Sequence, residues 1–217
     1  MNGREQVALK WTHVVYDKGD EWGKVLALMS LAPVFVVVAL VAVSLATREA
    51  QVLCMLLGVL VNDALNMVFK IVIQQPRPDT SPALLNGDGH LELGMPSAHA
   101  QFMAFFACYL GVMMHSRKWQ LMPVHESVVL MLGSSGVSLL AILSRVYLGY
   151  HTVSQVLVGT LIGMLLGAGA ASIVCTSKVG SAVLNWMVHS RIGRFLALRD
   201  SSNVSQPLWQ QRRLFHK

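Results

Sequence analysis

The chain has 217 residues, 54% of them hydrophobic and only 13% charged, with a formal net charge of +6. A soluble domain carries about 25% charged residues, so this composition excludes one and fits a single integral membrane domain. The basic excess forms no clustered stripe with interleaved aromatics, which excludes a nucleic-acid module and leaves membrane topology and anionic headgroups to explain it.

Residues 1–24 mix acids and bases and read as a segment outside the bilayer. Residues 25–46 contain no charge and are long enough to cross a membrane as a helix. Small residues occur near Ser44 and Ala46, but the run starts late and exceeds a usual signal core, so a retained span is expected. The second run, 52–73, is interrupted by Asn62, Asp63, Asn66 and Lys70. These are costly against lipid and are expected to face the protein interior, with Asn62, Asn66 and Lys70 on one helical face.

After Pro76 the chain turns loop-like, punctuated by Pro78, Pro82, Asn86-Gly87-Asp88-Gly89 and Gly94, until Pro96 opens a new helix with His99 in its first turn. Further spans are expected over about 98–114, 127–147 and 152–175. An amphipathic stretch over 179–198, carrying Trp186, Met187, Phe195, Arg191 and Arg194, is expected to lie at the interface; the alternative is a sixth helix packed on the bundle. The expected fold is all-α, a polytopic membrane bundle of about five crossings. It divides into an N-terminal segment (1–24), a transmembrane catalytic domain (25–178) and an amphipathic C-terminal segment with its tail (179–217). Cys54, Cys108 and Cys175 each fall inside an apolar run and read as small buried hydrophobes.

Five crossings bring the loop after the second span and the turn after the fourth to one face of the membrane. The opposite face collects Arg48, Arg117, Lys118, Lys178, Arg191, Arg194, Arg199, Arg212, Arg213 and Lys217. By the positive-inside rule that face is cytosolic, so the C-terminus is expected in the cytosol and the loops to open to a lumen or exterior. On the loop face, Arg4, Lys10, Lys18 and Lys24 are offset by Glu5, Asp17, Asp20 and Glu21. Asn203-Val-Ser205 matches a glycosylation sequon that a cytosolic location silences.

The chemistry sits in three segments at the edges of apolar runs: Lys70 to Arg77-Pro78; Gly94-Met-Pro96-Ser97-Ala-His99; and Ser144-Arg145 to His151 followed by Gln155. Arg77 and Arg145 offer planar forks and Lys70 a point charge for a multiply charged oxyanion. Ser97 adds a hydroxyl, and the start of a helix at Pro96–His99 adds backbone N–H groups and the positive end of a helix dipole. No Cys/His or Asp/Glu cluster has metal-site spacing, so phosphoryl transfer without a metal or other cofactor is expected, with His99 and His151 as nucleophile and proton donor. The residue types alone leave open which histidine does which. Asn62, Asp63 and Asn66 suit either hydrogen bonding between helices or support behind Lys70. His13, His90, His115, His125, His189 and His216 have no comparable neighbours in sequence and default to loop or interface residues.

Lys70 to Pro78 is similar to K-x6-R-P, Pro96 to His99 to P-S-x-H, and Ser144 to His151 to S-R-x5-H. In this order they resemble the signatures of the type 2 phosphatidic acid phosphatase superfamily, which also contains vanadium haloperoxidases. The resemblance implies a helical bundle with one site between the helices. It implies His151 as nucleophile, His99 as acid and base, and Lys70, Arg77, Gly94, Ser97 and Arg145 as the phosphate cradle. The family usually has Asp four residues after the nucleophile; here that position is Gln155. Its amide can still accept from the imidazole N–H and fix the tautomer, but brings no negative charge, so either a less basic nucleophile is expected or a substitute carboxylate such as Asp63 reaching in from the second span.

Thr12-His-Val, Ser30-Leu-Ala-Pro-Val-Phe, Gln101-Phe-Met, the run from Ser144 to Gln155, and Arg199-Asp-Ser together resemble one branch, the dolichyl-diphosphatases, with the plant plastid gamma-type lipid phosphate phosphatases beside it. This implies removal of one phosphate from a polyprenyl diphosphate at the lumenal face of the endoplasmic reticulum, recycling the carrier lipid of N-glycosylation; a plastid membrane is the alternative. Rival readings are a broader phosphatase acting on phosphatidate-type lipids, an inactive lipid-binding member, and a small channel or transporter. The last is disfavoured because Asp63 and Lys70 are essentially the only intramembrane charges.

Overall fold

The computed structural model describes residues 6–8, 14–85, 89–116 and 123–203, of which 6–8 and 203 are described in backbone alone. Arg4, Glu5, Lys10, His13, Arg117, Lys118, Arg212, Arg213, His216, Lys217, the Thr12 end of the N-terminal motif and the Val204-Ser205 part of the sequon lie outside the described residues. A two-stranded antiparallel ribbon, β1 (Gln6–Ala8) and β2 (Val15–Asp17), precedes the helices, a small β element the sequence reading did not include. Helices α1 (Glu21–Met29), α2 (Ala32–Thr47), α3 (Ala50–Ile73), α4 (Ala98–His115), α5 (Val124–Tyr147) and α6 (Val153–Thr176) then form the bundle, and α7 (Lys178–His189) and α8 (Arg191–Phe195) follow.

The first apolar run is longer than its uncharged core and is broken. Asp20 caps α1 by accepting from the Gly23 N–H, which carries the helix start back to Glu21. At Ser30-Leu31 the regular ladder gives way, and α2 restarts with Pro33 in its first turn, where a missing N–H costs nothing. Beyond the break the two pieces part: α1 packs on α5, whereas α2 packs chiefly on α3.

Glu21–Thr47, α3, α5 and α6 are long and apolar enough to cross a membrane. The expectation of about five crossings also counts α4, which is shorter, carries Gln101 and has histidine near each end. Those residues are tolerated because α4 is the enclosed helix, packed on α6 and also on α2, α3 and α5, with Met103, Phe105, Tyr109 and Met113 in the core. Its approach to α6 is close: a Cβ on Gly159 would meet the Ser97 carbonyl at 2.6 Å, and Gly163 and Gly167 face the main chain of Gln101 and Phe105. Small residues at such an interface let two backbones come together where lipid supplies no hydrophobic drive.

The C-terminal amphipathic stretch is two short helices broken at Ser190, which caps α8. At 12 residues α7 is about 18 Å long, short of the roughly 30 Å a crossing needs. It packs on α6 and α3 through Leu184 and leaves Trp186, Val179 and Val183 exposed. Beyond α8 the chain returns to the α2–α3 turn. There the buried Glu49 carboxylate pairs with Arg199 Nε at 2.7 Å and accepts from Ser201 Oγ at 2.6 Å.

Candidate active site

The end of α3, the start of α4, the end of α5 and the start of α6 lie at one end of the bundle, so up-and-down connectivity brings all three phosphate-type segments together. Lys70 closes α3, and Gln74 ends it in the left-handed conformation. The loop beyond is tied back on itself: Gly94 N–H donates to the Gln75 carbonyl at 2.7 Å, and Arg77 N–H to the Glu92 carbonyl at 3.0 Å. The Arg77 guanidinium also faces the Glu92 carboxylate at 3.8 Å. Burial pulls Arg77 below its ordinary range, with Glu92 opposing.

Ser97 precedes α4 in extended conformation, is fully buried, and its N–H donates to the Gln155 carbonyl at 3.1 Å. Its Oγ has no hydrogen-bond partner, and neither do the buried Nε atoms of Arg77 and Arg145. Orphaned donors of this kind in a buried site are unsatisfied until an acceptor arrives. His99, in the first turn of α4, bonds the Ser30 main chain beside the break in the first span and lies within electrostatic reach of Arg145, His151 and Arg77. Arg145, in the last turn of α5, is buried and stacks over the Tyr150 ring at 4.1 Å. That platform fixes the plane of the guanidinium.

The turn from α5 to α6 is closed by Gly149, whose φ of +73° few other residues adopt. It lets His151 N–H reach back to the Arg145 carbonyl at 3.0 Å, joining nucleophile candidate and cation through the backbone. His151 is buried, and its Nδ1 lies 3.2 Å from Gln155 Oε1. Gln155 orients itself: its Nε2 donates to the Pro76 carbonyl at 2.8 Å, so Oε1 faces the imidazole and also accepts the Thr152 N–H. His151 therefore carries its proton on Nδ1, leaving the Nε2 lone pair free. Burial, with Arg145, Arg77 and Lys70, pushes the imidazole down to about 3 against the opposing Gln155 hydrogen bond. It is neutral at pH 7.

Gly94 is confined by the same amide, because a Cβ there would meet Gln155 Nε2 at 2.6 Å. Asn66 donates to Gln101 Oε1 at 2.8 Å and to the Pro96 carbonyl at 3.3 Å, and Gln101 donates to Asn62 Oδ1 at 3.0 Å. The asparagines thus bond between helices and in doing so hold the loop that carries Ser97. Asp63 does not take the carboxylate role at the imidazole: it is exposed on α3, one position round from the buried Asn62, Gln155 meets His151 instead, and Asp63 lies within electrostatic reach of Lys70.

Sequence reasoning did not find Tyr150, Glu92 or the Ser30 main chain. Tyr150 adjoins His151 and Glu92 sits within the loop, but neither has a spacing that announces its partner. Gln101 stood out only as part of the branch resemblance. Among the described histidines away from the site, His125 pairs with Glu126 at 3.9 Å and His189 with the Asn185 carbonyl at 2.8 Å, both exposed. Among the described residues no three His, Cys, Asp or Glu side chains gather as metal ligands.

Residues 51–178 match the family described as the PAP2 superfamily. The chain is 37% identical over 203 residues to Dolichyldiphosphatase 1 of Homo sapiens, covering 91% of this chain and 83% of that protein. It is 34% identical to Lipid phosphate phosphatase gamma of Arabidopsis thaliana, covering 93% and 87%, and 33% identical to Dolichyldiphosphatase of Saccharomyces cerevisiae, covering 89% and 81%. In fold it is similar to the crystal structure of the first transmembrane PAP2 type phosphatidylglycerolphosphate phosphatase from Bacillus subtilis, with a TM-score of 0.58 at 23% identity over 72% of this chain and 78% of that one. Family match, long relatives and bundle agree: the chain is a multi-pass membrane protein of the PAP2 superfamily.

Proposed function

We propose that the chain is a lipid pyrophosphate phosphatase that hydrolyses a dolichyl or other polyprenyl diphosphate to the monophosphate and phosphate. The observation that carries this reading is the group of buried, unpartnered donors on Ser97, Arg77 and Arg145, gathered with two histidines of which His151 presents a free Nε2. Lys70, Arg77 and Arg145, with Ser97 and the first N–H groups of α4, hold the terminal phosphoryl oxygens; Gly94 keeps room for the amide that orients His151.

His151 Nε2 attacks the terminal phosphorus, and the bond to the bridging oxygen breaks. His99 enters the cycle protonated, a state the anionic substrate favours, and gives its proton to the departing polyprenyl monophosphate. Water then loses a proton to His99 and attacks the phosphohistidine, releasing phosphate and restoring His151. Lys70, Arg77 and Arg145 supply side-chain positive charge around the phosphoryl group in this reading, and metal independence is its expectation, which the chelator arm below tests.

The site faces the lumen of the endoplasmic reticulum and the C-terminus the cytosol, an orientation supported by the basic residues at the far end: Arg48, Lys178, Arg191, Arg194 and Arg199. Residues 25–178 form the catalytic domain in this reading. A broader lipid phosphate phosphatase is the second reading, favoured by the likeness to the Arabidopsis protein.

The test is phosphate release by detergent-purified protein from dolichyl diphosphate and from phosphatidate, with chelator and with a His151→Ala control. Chelator-resistant release from the diphosphate, lost in the variant, is expected. Release mainly from phosphatidate moves the assignment to the second reading; release from neither by folded protein leaves lipid binding without turnover.

A further inference from the structure

The break in the first span opens a cavity. Because α1 stays on α5 while α2 leaves for α3 and α4, a space of about 990 Å³ remains between α2, α4 and α5. Its walls are almost wholly apolar. One end lies beside the catalytic histidine: Leu28 and Met29 flank Ser30, whose main chain bonds His99, and Met103 stands one helical turn after His99 on α4. The other end is Thr47, Met114 and Arg199. From Met103 to Met114 the floor runs about 16 Å along α4. Toward the bilayer the walls are exposed residues, among them Phe35, Val43, Val129 and Val137, so the groove opens sideways between α2 and α5.

We propose that this groove seats the isoprenoid chain of the substrate, the units nearest the diphosphate, and passes the remainder to the bilayer through the gap between α2 and α5. This rests on the diphosphatase reading above. Three observations select the occupant. The groove begins at the level of His99, where the leaving oxygen and its first isoprene unit must lie. Its lining side chains are apolar from His99 inward, apart from Ser134, whose hydroxyl already donates to the Met131 carbonyl at 3.0 Å, and Thr47 and Arg199 at the far end, so little near the phosphate meets the ester linkages of a diacylglycerol, whereas a polyprenyl chain is hydrocarbon from the first carbon after the phosphate ester. The groove runs about half the depth of a bilayer along α4, a length that fits the first few isoprene units of one chain. Turnover is therefore expected to improve with chain length until the groove is full and to be indifferent to units beyond.

Gly133 supplies the test. It lines the groove, and a Cβ there meets nothing within 4 Å, so Gly133→Phe fills the space with little disturbance of the helices. Leu132→Phe, on the lipid-facing side of the same helix, is the control. Wild type and both variants are assayed on farnesyl and isopentenyl diphosphates and are photolabelled with a farnesyl diphosphate carrying a terminal diazirine. Gly133→Phe is expected to raise KM for farnesyl diphosphate about tenfold or more while leaving isopentenyl diphosphate turnover within about twofold. Wild-type adducts are expected on Met103, Leu110 or Val137. Adducts confined elsewhere, or an unchanged farnesyl KM in a variant that still turns over isopentenyl diphosphate, overturn the proposal. Should Gly133→Phe fail to fold, the wild-type adduct map and Gly133→Leu decide. Groove adducts without phosphate release from any diphosphate support the groove and overturn the diphosphatase reading, so the two failures are separate.

Discussion

Gln155 Nε2 donates to the Pro76 carbonyl at 2.8 Å, which ties the loop carrying Arg77 to the helix carrying His151. An aspartate at position 155 has no N–H to make that bond. Gln155 thus accepts from the imidazole on one side and donates to the loop on the other.

Gln155→Asp is therefore expected to have two opposed effects. A carboxylate beside the imidazolium raises the His151 pKa from about 3. Because attack needs neutral His151, the acid limb of kcat/KM against pH moves to higher pH, while loss of the Pro76 bond lowers the plateau by about ten- to a hundredfold. A profile that superimposes on wild type removes any electrostatic role for this position.

Ser97→Ala separates stability from activity. Its Oγ is buried and unpartnered, so deleting it leaves unfolding unchanged or raises stability by about 1 kcal/mol. Turnover is expected to fall about a hundredfold, as for loss of one donor to a developing oxyanion. Parallel loss of melting temperature and activity would instead assign Ser97 a structural role.

Arg145→Lys keeps the charge but loses both the fork and the stack on Tyr150 at 4.1 Å. Inhibition by orthovanadate, an oxyanion of the same shape, is expected to weaken at least about tenfold, while Tyr150→Leu weakens it by a smaller factor consistent with about 1 kcal/mol. Equal inhibition constants for wild type and Arg145→Lys would remove the bidentate role.

Gln101→Leu strands polar groups on both Asn62 and Asn66 inside the bundle. A loss of about 1–3 kcal/mol in stability is expected, together with reduced turnover, because Asn66 also holds the Pro96 carbonyl. In a double-mutant cycle with Asn66→Ala the effects should be non-additive; simple additivity would show that the two side chains act separately.

The spans and the three clusters were legible because each has a strong local signature: long uncharged runs, and cations or histidines where such runs end. Their convergence followed from counting crossings. The break at Ser30-Leu31 was not legible, since Pro33 in an apolar run marks a first turn as readily as a kink, and only the divergence of α1 and α2 reveals it. As a carboxylate for His151, Asp63 misled, because residue type alone cannot tell adjacent faces of a helix apart: Asn62 is buried and Asp63 is not, and Asp63 reaches Lys70 rather than the imidazole. The role of Gln155 was half legible. Four-residue spacing put it beside His151, but the bond to Pro76, distant in the chain, belongs to the tertiary fold.

The enclosure of α4 fixes an order of events during synthesis. This helix leaves the ribosome with Gln101 uncovered, and α3, made just before it, can offer Asn62 and Asn66 at once. The glycine face that receives its backbone belongs to α6, which is made two helices later. Until then α4 is held in the bilayer by polar bonds to α3 and by packing on α2 and α5, and the phosphate-binding corner, which needs Ser97 against Gln155, comes into being only when the last long helix arrives. Competence for chemistry is thus a late property of the nascent chain, gained with α6 and absent from any shorter product.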